Sequence, residues 1–368
     1  MAVTLTPSVL LDVRPLQGPS GKRGVGSYAT GLLKGLIDEG FDSQLTLLLD
    51  AGLPEPDLPP GRYKLAGSRR RYRGNFAAYE EAVALRADLE RLQPDVYHAI
   101  DMRLPGRAPC ALVVTLHDLI PWAFGGSRMW GERMRFWVGR RLLRRADLVL
   151  AVSQSTADDA VRYGRISEKR LRVVLEAADP VFKPAAGASA RVAERFGIQA
   201  GYLLFVGALD ARKDPAALLR AWSVAQRSKP GLKLVIAGEP GQQAPQHMEG
   251  ARVLGHLSGD ELVDVYTAAG CLVFPSRYEG FGLPCLEALA CGCPVAAYRN
   301  SSLPEVVDGA GELVDDGDAD ALGVAAAKLA AIPERPWRPG IERAKKFSWG
   351  KAARATIEAY KAAARALA

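Results

Sequence analysis

The chain has 368 residues, a net charge of +7 and a hydrophobic content of 48%. This length exceeds what one ordinary hydrophobic core holds, so two domains are expected. No apolar run approaches the roughly 18 residues of a membrane span, and the N-terminus lacks the basic region and cleavage site of a signal peptide, so we predict a cytoplasmic protein.

In chain order, short apolar runs alternate with segments of helical periodicity. The first half has runs at 8–14, 43–50, 95–100, 111–118 and 147–153, and the second half has runs at 202–209, 233–238, 271–276 and 294–298. Apolar strands separated by helices are typical of parallel sheets covered on both faces. The sequence therefore predicts an α/β protein with two doubly wound, Rossmann-like domains. Because the segment 176–190 is rich in Pro, Ala and Gly, we place the domains at 1–185 and 186–348.

Two segments are strongly basic: "SRRRYRG" at 68–74 and a predicted amphipathic helix at 128–147. Such a helix either packs its apolar stripe on a sheet or lies on an anionic membrane surface. Both interpretations stay open, and the second predicts peripheral contact with the inner membrane face through 128–145. Nucleic-acid binding is not expected, because the basic segments contain no recognised binding motif.

The five cysteines are odd in number and have apolar neighbours, which predicts free, buried thiols. Cys291 and Cys293 are closer together than the usual Cys-x-x-Cys spacing of a metal or redox site. Asp316 and Asp318 have an Asp-x-Asp spacing, but we interpret the acidic run "DDGDAD" around them as a polar loop. We therefore expect no metal and no cofactor.

Several polar residues of the first half lie at or beyond predicted strand ends, where open α/β sheets bind their ligands. His98 and Asp101 are expected to follow the third strand, and His117 and Asp118 end the fourth. A histidine at such a place either hydrogen-bonds a reacting sugar or has a structural role. We interpret His98, Asp101 and Asp118 as acceptor-side residues.

Two further strand-end segments carry cations or glycines. A predicted strand ends at Gly207, and Arg212 and Lys213 follow in the loop. Two adjacent cations suit a diphosphate, although a solvated charge pair has the same pattern. Gly24 and Gly26 precede an amphipathic helix and resemble a phosphate-binding loop, but they complete neither the Walker A nor the G-x-G-x-x-G pattern.

The stretch "FPSRYEGFGLPCLEALACGCP" at 274–294 is the most informative. A strand leads into a glycine-rich loop, and Pro284 fits the first turn of a following helix, whose N-terminus favours phosphate. Glu287, about one turn inside that helix, suits the hydroxyls of a ribose, while Glu279 in the loop suits those of a sugar. The alternative is that Glu279 caps the helix and Glu287 is solvated.

Together, these segments resemble a retaining glycosyltransferase of family 4 with the GT-B fold. The resemblance covers nearly the whole chain, and its most specific element is the E-x7-E region, "EGFGLPCLEALACGCPV". The other matching segments are "GVGSY", "HDLIP", "RADLVLAVSQSTADD", "VGALDARKDP", "SSLPEVVDGAGELVDDGD" and "FSWGKAARATIEAYKAA". The GT-B fold implies two domains that face each other across a cleft.

The resemblance implies a role for each matching residue. Arg212 and Lys213 would bind the donor diphosphate, Glu287 its ribose, and His117 the donor sugar near the reacting carbon. The remaining donor contacts would come from Gly26, Gly207, Glu279 and the backbone of Phe281, Gly282 and Leu283. The final helix, 349–368, would pack back on the first domain.

The implied activity is metal-independent, retaining transfer of a hexosyl unit from a nucleotide-diphospho-sugar to a sugar, lipid or small-metabolite acceptor. "HDLIP" together with "EGFGLP" favours GDP-mannose slightly, with UDP-glucose next. Two alternatives stay open: a GT-B nucleotide-sugar epimerase or hydrolase, and a non-catalytic scaffold that binds sugar nucleotides.

Overall fold

A computed structural model describes residues 6–22, 24–68, 77–124, 137, 139–239 and 250–367. The chain divides into two compact units: unit 1 is Met1–Ala177 with Ser348–Ala368, and unit 2 is Ala178–Phe347. The expected boundary at residue 185 is therefore too late. The residues just after Ala177 already pack on unit 2, because the ring of Phe182 meets that of Tyr266 edge-on and the amide of Ala185 donates to Thr267 Oγ1 at 3.3 Å.

Unit 1 contains a seven-stranded sheet in the order β3-β2-β1-β4-β5-β6-β7, and every neighbouring pair is parallel. Its strands are β1 (Val9–Asp12), β2 (Leu45–Asp50), β3 (Lys64–Ser68), β4 (Val96–Ala99), β5 (Ala111–Leu116), β6 (Leu148–Ala151) and β7 (Leu171–Val173). The five central strands match predicted runs, whereas the edge strands β3 and β7 were not predicted.

Unit 2 contains a six-stranded parallel sheet in the order β10-β9-β8-β11-β12-β13. Its strands are β8 (Leu203–Val206), β9 (Leu234–Ala237), β10 (Arg252–Gly255), β11 (Cys271–Phe274), β12 (Val295–Tyr298) and β13 (Gly311–Val314). Here too, the four central strands match predicted runs and the two edge strands were missed. The prediction of two doubly wound, parallel-sheet domains is confirmed.

Helices connect the strands in both units. In chain order they are α1 (Gly24–Asp38), α2 (Ala77–Leu92), α3 (Ile120–Ala123), α4 (Gln154–Asp159), α5 (Ala188–Phe196), α6 (Pro215–Ser228), α7 (Gly259–Ala268), α8 (Leu283–Ala290), α9 (Leu303–Val307), α10 (Ala319–Ala330), α11 (Arg338–Ala344) and α12 (Trp349–Leu367). None of these described helices is long and apolar enough to span a bilayer.

The final helix, α12, packs on α1 within unit 1. A Cβ atom on Gly31 would overlap the indole ring of Trp349, and one on Gly35 would lie 2.5 Å from the carbonyl oxygen of Trp349. These glycines of α1 therefore allow the two helices to approach closely. Farther along α12, the Tyr360 hydroxyl lies 2.7 Å from Nδ1 of His98 in β4, so a buried hydrogen bond also joins α12 to the sheet.

The basic segments fall largely outside the described residues, which omit 69–76, 125–136 and 138. In the described remainder, Arg140 and Arg144 donate to the backbone carbonyls of Tyr163 and Gly164 at 2.9 and 3.0 Å. These two arginines thus bind backbone within unit 1. All five cysteines are free and buried, as predicted.

Candidate active site

The loop after β11 has the geometry that its sequence predicts. β11 ends at Phe274, and α8 begins at Leu283 with Pro284 in its first turn. Gly282, which precedes the helix, has a φ of +100° that an L side chain rarely adopts. The helix ends at Ala290, and Gly292 follows with a φ of +73°. Strand, loop and helix therefore lie where they were predicted.

Two serines at the start of α9 hold this loop. The Ser302 hydroxyl lies 3.0 Å from the carbonyl oxygen of Glu279 and 2.8 Å from that of Phe281. The hydroxyl of Ser301 accepts from the amide of Glu279 at 2.9 Å. Ser302 thus binds two carbonyls of the loop, whereas Ser301 binds the amide of Glu279. Among the described residues, no group accepts from the amides of Phe281, Gly282 and Leu283.

Glu279 is the centre of a buried ionic cluster. Its Oε1 accepts from Lys213 Nζ at 2.6 Å, Arg212 Nη1 at 2.7 Å and Ser276 Oγ at 2.5 Å. Within the described ranges its Oε2 has no hydrogen-bond partner. Burial raises the pKa of Glu279, but the charges and hydrogen bonds of Lys213 and Arg212 outweigh it, so the net pKa lies below the ordinary value. Glu279 is thus an oriented carboxylate with one oxygen left for a ligand, and it does not cap α8.

The cations of this cluster sit in a tight turn, Ala211–Lys213, after β8. The Asp210 carboxylate accepts from the amides of Arg212 and Lys213 at 2.9 and 3.1 Å and so fixes the turn. Lys213 is only 6% exposed, and its Nζ lies 4.1 Å from the centroid of the Phe274 ring. Burial lowers its pKa, and Arg212 adds to this, while Glu279 opposes it. The solvated-pair alternative is therefore wrong for Lys213.

Gly207 directly follows β8 and lies beside this turn. Its φ is +131°, its amide donates to the carbonyl of Ala237 at 2.9 Å, and a Cβ on it would lie 3.8 Å from Cε of Lys213. A Cβ on Gly238, at the end of the next strand, would overlap the Gly207 carbonyl. The structure thus brings Gly207, Arg212, Lys213 and Glu279 together beyond the carboxyl ends of the central strands β8 and β11.

Glu287 lies in α8 and is half-buried. Its Oε2 accepts from the hydroxyl of Tyr266 in α7 at 3.0 Å. Burial, together with the charge of Asp179, raises the pKa of Glu287 to about 7, even though the Tyr266 hydrogen bond lowers it. Glu287 is therefore an oriented carboxyl group that changes charge near neutral pH. Tyr266 was missed, since a tyrosine within an amphipathic helix looks like a core residue.

In unit 1, His117 follows β5 and has a partner at each ring nitrogen. Its Nε2 lies 2.9 Å from the carbonyl oxygen of Ile100, and its Nδ1 lies 3.2 Å from Oε1 of Glu176. Tyr28 contacts the imidazole edge-on, with ring centroids 4.8 Å apart. Glu176 was missed because it follows β7, an exposed three-residue strand with no apolar run to mark it.

The three residues that we predicted on the acceptor side lie in different surroundings. His98 does not follow a strand, because it lies within β4, fully buried between Tyr360 and Thr115, to which its Nε2 is bound at 2.9 Å. Burial, with the nearby His117, lowers its pKa to about 3, so His98 is a neutral structural residue. Asp101 pairs with Arg103 at 3.1 Å, and Asp118 accepts from the amide of Ile120 at 3.0 Å.

Gly26 also differs from its prediction. Gly24 and Gly26 lie in the first turn of α1 rather than in a loop before it. A Cβ on Gly26 would overlap the carbonyl of Gly21, so the chain's own packing requires glycine here. A buried ion pair before this turn, between Asp12 and Arg14 at 2.5 Å, was not predicted.

The acidic run binds protein groups. Asp316 accepts from Asn300 Nδ2 at 2.7 Å and lies 3.1 Å from Arg277 Nε, and Asp318 caps α10 by accepting from the amide of Ala321 at 2.9 Å. Across the described ranges, no cluster of three or more His, Cys, Asp or Glu side chains has a metal-binding arrangement.

Comparison with known proteins identifies the family. Residues 22–182 match the family model "Glycosyltransferase Family 4", and residues 189–347 match "Glycosyl transferases group 1". O-antigen chain mannosyltransferase B of Escherichia coli is 31% identical over an alignment of 285 positions that covers 72% of this chain and 74% of that protein. The chain belongs to glycosyltransferase family 4.

This glycosyltransferase is also similar to other proteins of known kind. D-inositol 3-phosphate glycosyltransferase of Saccharomonospora viridis is 33% identical over 61% of this chain and 57% of its own length. Sucrose-phosphate synthase from Thermosynechococcus elongatus superimposes with a TM-score of 0.74 at 21% identity, covering 96% of this chain and 98% of that one. Anabaena HepE in complex with UDP and glucose superimposes with a TM-score of 0.69 at 16% identity, covering 96% and 99%. These likenesses show the GT-B fold.

Proposed function

We propose that this family 4 glycosyltransferase moves a hexosyl unit from a nucleotide-diphospho-sugar to a hydroxyl group, with retention of configuration and without a metal ion. One observation carries the proposal: Arg212, Lys213 and Glu279 meet beside the glycine loop that opens α8. This cluster combines positive charge, for a diphosphate, with an oriented carboxylate, for a sugar.

The positive groups suit the developing charge of a leaving diphosphate. Lys213 and Arg212 bring two positive charges to the buried carboxylate of Glu279, and the more exposed carboxylate of Asp210 lies 3.8 Å from Arg212. The amides of Phe281, Gly282 and Leu283 add hydrogen-bond donors at the positive end of the α8 dipole. Preorganised groups of this kind typically supply about 3–4 kcal/mol each to transition-state stabilisation. We infer that they take the place of a metal ion.

The two carboxylates suit the two sugars of the donor. Glu279 has its Oε2 available to accept from a hydroxyl of the transferred hexose. Glu287, fixed by Tyr266, would accept from the ribose hydroxyls. His117, whose role comes from the family resemblance, would contact the hexose near the reacting carbon. Gly207 would let the chain approach the diphosphate closely beside Lys213.

The reaction balances without a further reactant. The bond between the anomeric carbon and the diphosphate oxygen breaks, and its electron pair goes to the diphosphate. A bond forms from the acceptor oxygen to the same face of the anomeric carbon, so the configuration is retained. The acceptor hydroxyl loses its proton to the departing diphosphate. The products are a glycoside and a nucleoside diphosphate.

We propose GDP-mannose as the preferred donor and UDP-glucose as the next. One relative, at 31% identity, is a mannosyltransferase, which supports GDP-mannose. UDP-glucose is the next donor to test, because a protein with the same fold has been solved with UDP and glucose. The acceptor is a sugar, a lipid or a small metabolite. The intact cluster of Arg212, Lys213 and Glu279 favours transfer over epimerisation, hydrolysis or a scaffold role.

The test uses each donor labelled with carbon-13 at the anomeric carbon, incubated with a panel of sugar, lipid and inositol phosphate acceptors. We expect one donor to give a new glycoside with the donor's own anomeric configuration, in buffer that contains EDTA. A glycoside of inverted configuration, or activity that EDTA abolishes, would contradict the mechanism. Release of free hexose alone would favour a hydrolase. A donor that binds but is recovered unreacted would favour a scaffold.

A further inference from the structure

The hydrogen atoms of His117 are constrained by its two partners. Nε2 faces the carbonyl oxygen of Ile100 at 2.9 Å, and Nδ1 faces Oε1 of Glu176 at 3.2 Å. A carbonyl oxygen only accepts hydrogen bonds, so Nε2 must carry a hydrogen. A neutral ring with that hydrogen on Nε2 has a bare acceptor at Nδ1, opposite a carboxylate that also accepts. A second proton is therefore needed between Nδ1 and Glu176.

Glu176 has little else to stabilise it. Its side chain is only 4% exposed, and in the part of the chain that the structure describes it has no hydrogen-bond partner other than His117. A buried carboxylate without a counter-charge is costly, which favours a proton shared with the imidazole. With that proton the pair is neutral overall, and the hydrogen bond and charge of Glu176 outweigh the effect of burial on His117.

The elements around the imidazole add few competing charges. Tyr28 of α1 meets the ring edge-on and is itself held by Thr115 at 2.8 Å. The neighbouring Asp118 is the other carboxylate that raises the pKa of His117, and His98, which lies in β4, is neutral. Burial lowers the pKa of His117, but the hydrogen bond and charge of Glu176, then Asp118 and the Ile100 carbonyl, raise it above the ordinary value. The electrostatics and the geometry agree.

We propose that Glu176 is a positioning residue that keeps a proton on Nδ1 of His117, so that both ring nitrogens donate and neither takes a proton from the acceptor. The place of His117 beside the sugar rests on the proposed function, whereas the place of the proton is a property of the ligand-free chain. In the transfer step, the acceptor proton must then leave on the diphosphate oxygen, and His117 contributes a fixed, doubly protonated ring.

The place of the proton can be measured directly. The chain has four histidines, so histidine-selective nitrogen-15 labelling gives a sparse long-range proton–nitrogen spectrum of the full protein. A His117→Asn variant assigns the signal. At pH 7 we expect both ring nitrogens of His117 to have chemical shifts of protonated nitrogen. A spectrum in which one His117 nitrogen is bare at pH 7 would overturn the proposal, whether or not any donor is known.

Glu176→Gln separates the protonation of the His117 ring from its orientation. The glutamine amide can donate to an unprotonated Nδ1 and so keep the ring in place without the second proton. We expect the variant to show one protonated and one bare nitrogen, and its kcat to fall about 10- to 100-fold, as when the partner that orients a metal-bound histidine is removed. The donor KM should not change. Glu90→Gln, in the exposed pair with Arg86, is the matched control.

A pH profile distinguishes this role from a merely structural one. Loss of the Nδ1 proton at high pH should inactivate the wild type, and removing Glu176 lowers the pKa of His117, so the alkaline limb of kcat should move to lower pH in Glu176→Gln. An alkaline limb that does not move, or a variant with wild-type kcat, would overturn the proposal. If no nucleotide sugar is turned over at all, the proposed function fails, while the spectrum still decides the place of the proton.

Discussion

Replacing Glu279 by glutamine separates the binding of the sugar from the binding of the diphosphate. In the wild type, Oε1 receives hydrogen bonds from Lys213, Arg212 and Ser276 at 2.6, 2.7 and 2.5 Å. Glutamine keeps an oxygen that can accept from the same donors, but it removes the negative charge. The two cations then lose their counter-charge, while the hexose loses an ionised acceptor.

The magnitude follows from the two charge-assisted bonds. Lys213 and Arg212 stay ionised in the variant, so both bonds remain charge-assisted, but each loses its ionised acceptor. We expect a loss of about 2–3 kcal/mol of unfolding free energy, below the roughly 3–5 kcal/mol for removing one partner of a buried pair outright. Alanine would leave Lys213 buried and unpaired by a carboxylate, at a cost of about 3–5 kcal/mol, and is the less informative change. Glu312→Gln, in the exposed pair with Lys328, should cost at most about 1 kcal/mol and is the control.

The assay compares binding with turnover. By isothermal titration calorimetry, Glu279→Gln should bind the nucleoside diphosphate as tightly as the wild type or more tightly, because an anion has been removed beside Arg212 and Lys213. Its transfer rate should fall by at least about 100-fold. A parallel loss of nucleotide affinity and rate would refute the assignment of Glu279 to the sugar, and so would a wild-type rate.

Two further predictions concern stability. The pKa of Glu287 is raised from 4.5 to about 7, so the stabilisation by protonated Glu287 is fully present below pH 4.5 and is lost as the pH rises through 7. Measured by urea denaturation relative to Glu287→Gln, the wild type should lose up to about 3 kcal/mol of unfolding free energy over this range. The same pH dependence of stability in both proteins would contradict this. Gly31→Ala should cost about 1–3 kcal/mol of unfolding free energy, because the new methyl group overlaps the Trp349 ring. Gly106→Ala is the control and should cost little, because its methyl group meets no atom within 4 Å. Equal values for the two variants would show that α12 moves freely on α1.

The predicted and the missed strands differ in where they lie. The nine predicted runs became the central strands of the two sheets, and the four missed strands, β3, β7, β10 and β13, are the four sheet edges. A central strand is buried on both faces and must be continuously apolar. An edge strand is partly exposed: β10 has the sequence "RVLG" and β7 has "LRV". Its backbone pairing comes from its neighbour, and no apolar run reveals it.

The places of Gly207, Arg212, Lys213 and Glu279 were predictable because these residues stand after strand ends in a fixed spacing. Their partners were not. Ser276 and Ser302 were not predicted, since a single serine carries no periodic signal and Ser302 holds the loop from a different element. The buried contact of Lys213 with Glu279 depends on the loops of two adjacent strands, β8 and β11. His98 was misplaced, because sequence does not show which polar residue of a strand-like run turns inward.

The central claim is that a nucleoside diphosphate binds at Arg212 and Lys213. The most direct measurement is a thermal-shift panel of GDP, UDP, ADP and dTDP with their sugar conjugates, on the wild type, Lys213→Met and the exposed control Lys328→Met. A ligand at about 100 times its Kd adds about 2.7 kcal/mol of stability. We predict that one nucleotide stabilises the wild type and Lys328→Met clearly above the others, and that Lys213→Met loses the shift. No shift with any nucleotide, or an undiminished shift in Lys213→Met, would contradict the account.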